Sequence, residues 1–290
     1  MMKLPAGACD TQIHVYGDAA KYPPRHRKPL YVPPPGQGTI ERALEMHARL
    51  GFNRLCITQA TIFGTDHSLL VDTLNALPNG KARGCGIVDA SVSDRELARM
   101  HEAGVRGARF NFLSRFDLVP EIADFHRQLA RIGELGWFAK LFCGPAELAE
   151  IEPELRKAKA TFMFDHLCQA PFPGGLASPG MKRILALLRE ENFWMMLSNG
   201  DRNSAGYPWD DCIPFGRAFY EAAPDRCVWG SDWPHVWRWI RHQRDGYVEQ
   251  AHDAKDELLL NLGLSYLPDE AAVRRVFVDN PARIFGFDPV

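Results

Sequence analysis

Eight short apolar runs recur along the chain, each followed by a stretch with helical spacing, and no other feature limits the fold as strongly. The runs are Cys9–His14, Arg54–Gln59, Arg83–Val88, Gly107–Asn111, Phe138–Phe142, Phe162–Asp165, Trp194–Leu197 and Cys227–Trp229. Between them, Ile40, Ala43, Leu44, His47 and Leu50 fall on one helical face, as do Ile184, Leu185 and Leu188 further on. Strands that are apolar at nearly every position, each alternating with a helix, belong to parallel sheets covered on both faces. Eight such repeats in 290 residues predict an α/β fold, a (β/α)8 barrel forming one domain over residues 1–290. A doubly wound open sheet is the runner-up, and the lack of a G-x-G-x-x-G turn after the first run counts against it.

Composition removes several classes of function. Thirty-four basic residues against 36 acidic ones give a net charge of −2, without the basic excess that nucleic acid or an anionic membrane surface would call for. No apolar run approaches the roughly 18–20 residues that span a bilayer. The opening Met1-Met2-Lys3-Leu4-Pro5 lacks the apolar core of a signal peptide. Seven cysteines, an odd number with no C-x-x-C pair, fall mostly in apolar runs. They read as buried thiols of a reduced, cytoplasmic protein rather than as a disulfide framework.

In a barrel of this kind the reacting groups stand at the C-terminal strand ends and on the loops that follow. The first run offers Gln12 and His14, two residues apart and so on one face. The fourth offers Arg109, with Asn111 and Arg115 beyond it, and the sixth ends in Asp165-His166. Asn199, Asp201 and Arg202 follow the seventh, and Asp232 and His235 follow the eighth. A carboxylate just after an apolar strand costs several kcal/mol to bury unless it is paired, so Asp232 needs a reason to be there: a cap on the following turn or, the favoured reading, a general base. Arg109 among apolar neighbours needs an anion, and its planar fork matches a carboxylate; with Arg115 and Arg202 it suggests a carboxylated substrate. His235, in a turn beside Pro234, reads equally as a structural group or a site residue. Lys140, in the fifth run, reads as paired or snorkelling.

A three-ligand metal site from His14, His166 and Asp232 remains open on this reading, although Gln12 is a poor zinc ligand beside His14. The loop from Asp18 to Gly38 carries six prolines together with Arg25, His26 and Arg27. It cannot be a helix or a central strand, and after the first strand it would lie at the barrel mouth, as a lid or a surface excursion. Trp237, Arg238, Trp239 and Arg241 would line either the mouth or a subunit contact.

The order of short motifs along the whole chain resembles the amidohydrolase superfamily, in its lactone-opening branch. They are Asp10-Thr11-Gln12-Ile13-His14, Thr58-Gln59-Ala60, Gly64-Thr65-Asp66, Gly107-Ala108-Arg109-Phe110-Asn111-Phe112, Phe164-Asp165-His166, Gly230-Ser231-Asp232-Trp233-Pro234-His235 and Asp279-Asn280-Pro281-Ala282. The resemblance implies a distorted (β/α)8 barrel and a metal-independent hydrolase with no cofactor. It would open a small carboxylated lactone like the pyrone dicarboxylates of aromatic-compound breakdown. By the same resemblance Asp232 activates water, and His14 and His166 polarise the carbonyl. Arg109, Arg115 and Arg202 hold carboxylates, and Tyr31 touches substrate from the mouth loop.

Two positions depart from the branch's lactonase pattern: Gln12 stands for a histidine and Phe142 for a substrate-binding tyrosine. A Gln-x-His first strand also resembles an aldarolactone isomerase of the branch. The expected mechanism has Asp232 deprotonating water, with His14, His166 and the Gln12 amide as donors to the developing oxyanion. The alternatives are an isomerase using the same site, or a zinc-dependent amidohydrolase or decarboxylase.

Overall fold

The computed structural model describes residues 3–25, 34–114, 118–170, 172–236 and 255–290. Every expected run forms a strand: β1 Cys9–Ile13, β2 Arg54–Thr58, β3 Ala82–Ile87, β4 Val105–Asn111, β5 Phe138–Phe142, β6 Phe162–Phe164, β7 Phe193–Met196 and β8 Cys227–Val228. They pair in parallel in the order β1 to β8. The ends of the sheet meet through a parallel bridge between Ile13 and Trp233. This is the (β/α)8 barrel that the sequence pattern predicts, distorted at the closing seam and in two of its strand pairs. At the seam β8 is only two residues long, and the register of β1 on β2 slips between Asp10 and Ile13.

The helices cover the barrel with the faces that their periodicity marks. On α1 (Ile40–Leu50) the buried residues are Ala43, Met46, His47 and Leu50, with Ile40 and Leu44 packed partly buried against the core. The helix stops where Gly51 turns left-handed at φ 90°, a conformation that glycine adopts without penalty. Ser93 caps the helix Asp94–Glu102 through the amide of Glu96, and Ser178 caps Pro179–Leu188 through that of Met181.

Inside, the N-terminal half of the barrel is plugged by Cys9, Cys56, Phe138, Met163, Trp194, Met196 and Val228, sealed from below by Phe285 and Phe287. Phe285 meets Phe138 edge-on at 5.1 Å; burying a ring of this size contributes about 1.5–3 kcal/mol. All seven cysteines are free and buried. The apolar plug leaves the strands' C-terminal ends for polar groups. No described helix is long and apolar enough to cross a membrane.

Candidate active site

A carboxylate wrapped in N–H donors lies at the C-terminal end of the barrel. Asp232 is buried, in a left-handed backbone conformation at φ 60°. Such a conformation costs a non-glycine residue about 1–3 kcal/mol and clusters at functional sites. Its Oδ1 accepts from Gln12 Nε2 at 2.8 Å and meets His14 Nε2 at 3.0 Å. Its Oδ2 accepts from Asn199 Nδ2 at 2.9 Å and from Arg202 Nη2. Burial alone would raise this carboxyl's pKa. His166, Arg202 and His14 outweigh burial and hold it well below the usual carboxylate range.

Gln12 is the hub of the cluster. Its amide nitrogen donates to Asp232 and faces His166 Nε2 at 3.0 Å. Its amide oxygen accepts from the Lys140 ammonium and, at 3.4 Å, from Thr58 Oγ1. An amide can do both because it carries donors at one end and an acceptor at the other. Lys140 is fully buried, with Thr58 Oγ1 at 3.2 Å and Asp165 Oδ1 at 3.8 Å. It is therefore paired rather than snorkelling.

His14 Nδ1 donates to the Thr58 carbonyl at 2.8 Å. Its other nitrogen faces Asp232 Oδ1. His166 is different. Burial is the largest influence on it and pushes its pKa down to about 4, against the upward pull of Asp165 and Asp232. The ring is neutral near pH 7. Its Nε2 accepts from Gln12 and its Nδ1 pairs with Ser198 Oγ at 2.7 Å, with the Asn199 amide nitrogen also within 2.8 Å. His166 opens a run of four left-handed residues, ending at Gln169, that turns the chain sharply away from β6.

Arg109 is buried one strand from Lys140, its register partner. Its guanidinium lies over the Phe142 ring at 5.0 Å and 3.5 Å from Asp165 Oδ2, and its Nε has no hydrogen-bond partner. Asp165 is fully buried. Burial would raise its pKa, but His166, Lys140 and Arg109 hold it below the ordinary value. Arg109, Lys140 and Arg202 thus face Asp165 and Asp232, and the buried Asp201 also acts on Arg202.

Of the residues picked from sequence, Gln12, His14, His166, Asp232 and Arg202 come together, with Arg109 beside them through Asp165. Arg202, expected to hold substrate, grips Asp232 itself. His235 is engaged elsewhere: its Nε2 pairs with Asp256 at 2.8 Å, and Arg49 takes the other oxygen of that carboxylate at 3.2 Å. Tyr31, Arg115 and Trp237–Arg241 lie outside the described residues. The cluster also takes in Thr58, present in the sequence only as part of a motif, and Ser198, and both stand at strand ends as His14 does.

A zinc ion, common in barrels of this kind, needs inward-facing lone pairs at about 2.0–2.3 Å. Here the lone pairs of Asp232 are taken by four nitrogen donors, the Gln12 oxygen by Lys140, and the His166 Nε2 lone pair by Gln12. Among the described residues no group of three or more His, Cys, Asp or Glu could hold a metal. The donor set does not fit the ion.

An acid, histidines and cations thus gather at the C-terminal end of a parallel eight-stranded barrel, where barrel enzymes carry their active sites. The chain belongs to the amidohydrolase family, whose model matches residues 9–287. It is 34% identical to 2-pyrone-4,6-dicarboxylate hydrolase of Comamonas testosteroni, over 98% of this chain and 91% of that one. It is 29% identical to D-galactarolactone isomerase of Agrobacterium fabrum, over 99% and 94%. A solved structure from Agrobacterium tumefaciens superposes with a TM-score of 0.84 at 28% identity, covering 99% of this chain and 98% of that one.

Proposed function

We propose that this single-domain barrel hydrolyses a small anionic lactone without a metal, with Asp232 as the base. The observation that carries the reading is the convergence of Gln12, His14, Asn199 and Arg202 on one buried carboxylate, with Arg109 alongside. Asp232 takes a proton from water as the water oxygen bonds to the lactone carbonyl carbon. The carbonyl oxygen becomes an oxyanion, which His14, 3.0 Å from Asp232 Oδ1, polarises. Each preorganised donor contributes about 3–4 kcal/mol to such a transition state. The ring C–O bond then breaks, and the leaving enolate or alkoxide recovers the proton from Asp232. In this geometry neutral His166 holds the Gln12 amide rather than donating to the oxyanion.

In the free protein Asp232 accepts too many hydrogen bonds to be a strong base. A substrate carboxylate offers Arg202 a competing anion. Moving the guanidinium onto substrate removes one donor from Asp232 and brings a negative charge near it, and both changes raise its proton affinity. Arg202 is in this way both a clamp for the substrate and a latch on the base. The two relatives named above both carry lactone substrates in their names, and the dicarboxylate of the first would offer anions to Arg109 and Arg202.

The isomerase relative supports a second reading on the same site, in which a substrate hydroxyl replaces water. A screen of carboxylated lactones by pH indicator, with and without chelator, tests the proposal. The expected result is ring opening that survives chelation and places labelled oxygen from water in the product. A rearranged lactone carrying no label selects the isomerase. Activity that disappears on chelation and returns with zinc overturns the metal-free mechanism.

A further inference from the structure

The seam between β1 and the segment after β8 is held by a buried pair that the mechanism does not use. At this seam the ladder is irregular: Thr11 N–H donates to Trp229 O at 3.1 Å, Asp232 N–H to Gln12 O at 2.9 Å and His14 N–H to Trp233 O at 2.7 Å. Two further main-chain donors, the amides of Gln12 and Ser231, find their acceptor in one side-chain oxygen, Asp10 Oδ1, at 3.2 and 2.8 Å. The other oxygen, Oδ2, meets His47 Nε2 of α1 at 3.0 Å. Asp10 is fully buried and His47 is 2% exposed. The two amides that Asp10 gathers belong to Gln12 itself and to the residue before Asp232, so the carboxylate fixes both ends of the Gln12–Asp232 contact.

We infer that Asp10 and His47 are a positioning pair, which anchors the seam to α1 and thereby sets the geometry of Gln12 against the base. Neither touches the reacting groups. Asp10 supplies the acceptor that the broken ladder lacks, and leaving two buried amides unmet costs about 1–3 kcal/mol each. His47 holds that acceptor at a fixed height on the seam. Displacing a catalytic group by about 1 Å can cost on the order of a hundredfold in rate. The pair therefore acts on turnover more than on substrate affinity. This role is read for the reaction proposed above, while its geometric part stands apart from that reaction.

The test compares His47→Gln, whose amide nitrogen can still donate to Asp10, with His47→Leu, which cannot. On a lactone that the wild type opens, His47→Leu should lower kcat by about 10- to 100-fold and leave KM within about twofold, and His47→Gln should recover most of the loss. Nitrogen NMR of the histidine rings gives a readout independent of activity: the His14 and His166 signals should move in His47→Leu and stay in place in His47→Gln. Should the leucine variant not fold, His47→Asn, polar but too short to reach Asp10, takes its place with the same expectations. A folded variant with wild-type kcat and unmoved His14 and His166 signals overturns the inference. If the wild type opens no lactone, the functional reading fails and the NMR comparison decides the positioning role alone.

Discussion

At the scale of single residues, the decisive group is a carboxylate that the free protein over-stabilises. Asp232→Asn removes the proton acceptor while keeping a group of the same shape among the same donors. The expected result is a fall in kcat of about 10²- to 10⁴-fold with little change in KM. Near-normal turnover would remove Asp232 from the base role. Arg202→Met tests the latch. With the guanidinium gone, Asp232 loses a donor and a neighbouring cation, so its proton affinity rises. The acid limb of the kcat/KM profile should then move to higher pH, with KM raised for an anionic lactone. A raised KM with the acid limb in place would leave Arg202 a clamp only. Much of this cluster was legible in the sequence, because polar residues just past apolar strands stand out. Its wiring was not. Sequence position points Arg202 at substrate when it reaches Asp232, and it leaves Lys140 between two roles, because partners across a barrel are set by tertiary packing and not by spacing along the chain.

At the scale of elements, the eight strands and the apolar face of α1 follow from periodicity, but the barrel's seam does not. β8 was expected to extend to Trp229 and ends at Val228. Beyond it, Gly230 and the left-handed Asp232 take the chain off the regular ladder. Gly230 is needed for a steric reason: a Cβ there would lie 2.7 Å from the Gln12 amide nitrogen and 2.8 Å from the Gln12 Cβ. Both atoms are fixed by β1, so neither can yield as the end of a flexible side chain would. Gly230→Ala should therefore push β1 and the base apart. Overpacking of this kind costs about 1–3 kcal/mol, to be read as a lower denaturant midpoint. The same displacement should lower kcat by about tenfold or more. A variant equal to wild type in both would mean that the seam is more yielding than its contacts indicate. The left-handed run from His166 to Gln169 was likewise hidden from sequence, since none of its residues is glycine and nothing local announces positive φ.

At the scale of the whole molecule, burying the site makes folding depend on pH, and the sign follows from His166. In the unfolded chain its ring protonates near the ordinary value of 6.5; in the folded protein burial pushes that to about 4. Between these values the unfolded state binds the extra proton and the native state does not, so stability falls as pH is lowered through this window. A shift of this size corresponds to roughly 3 kcal/mol, a large share of the 5–15 kcal/mol by which domains are usually stable. Asp165 and Asp232 act lower on the scale. Both are held below the ordinary carboxylate value of 3.8, so their contribution is present above that pH and is lost as pH falls further. The two windows can be separated with His166→Asn, which keeps a polar side chain facing Gln12 and Ser198 but does not titrate. Urea midpoints measured from pH 7 to 4 should fall more steeply for the wild type than for the variant. A wild-type midpoint constant from 7 to 4 would mean that His166 accepts its proton inside the folded barrel, and the neutral ring that holds Gln12 in the proposed mechanism would have to be given up.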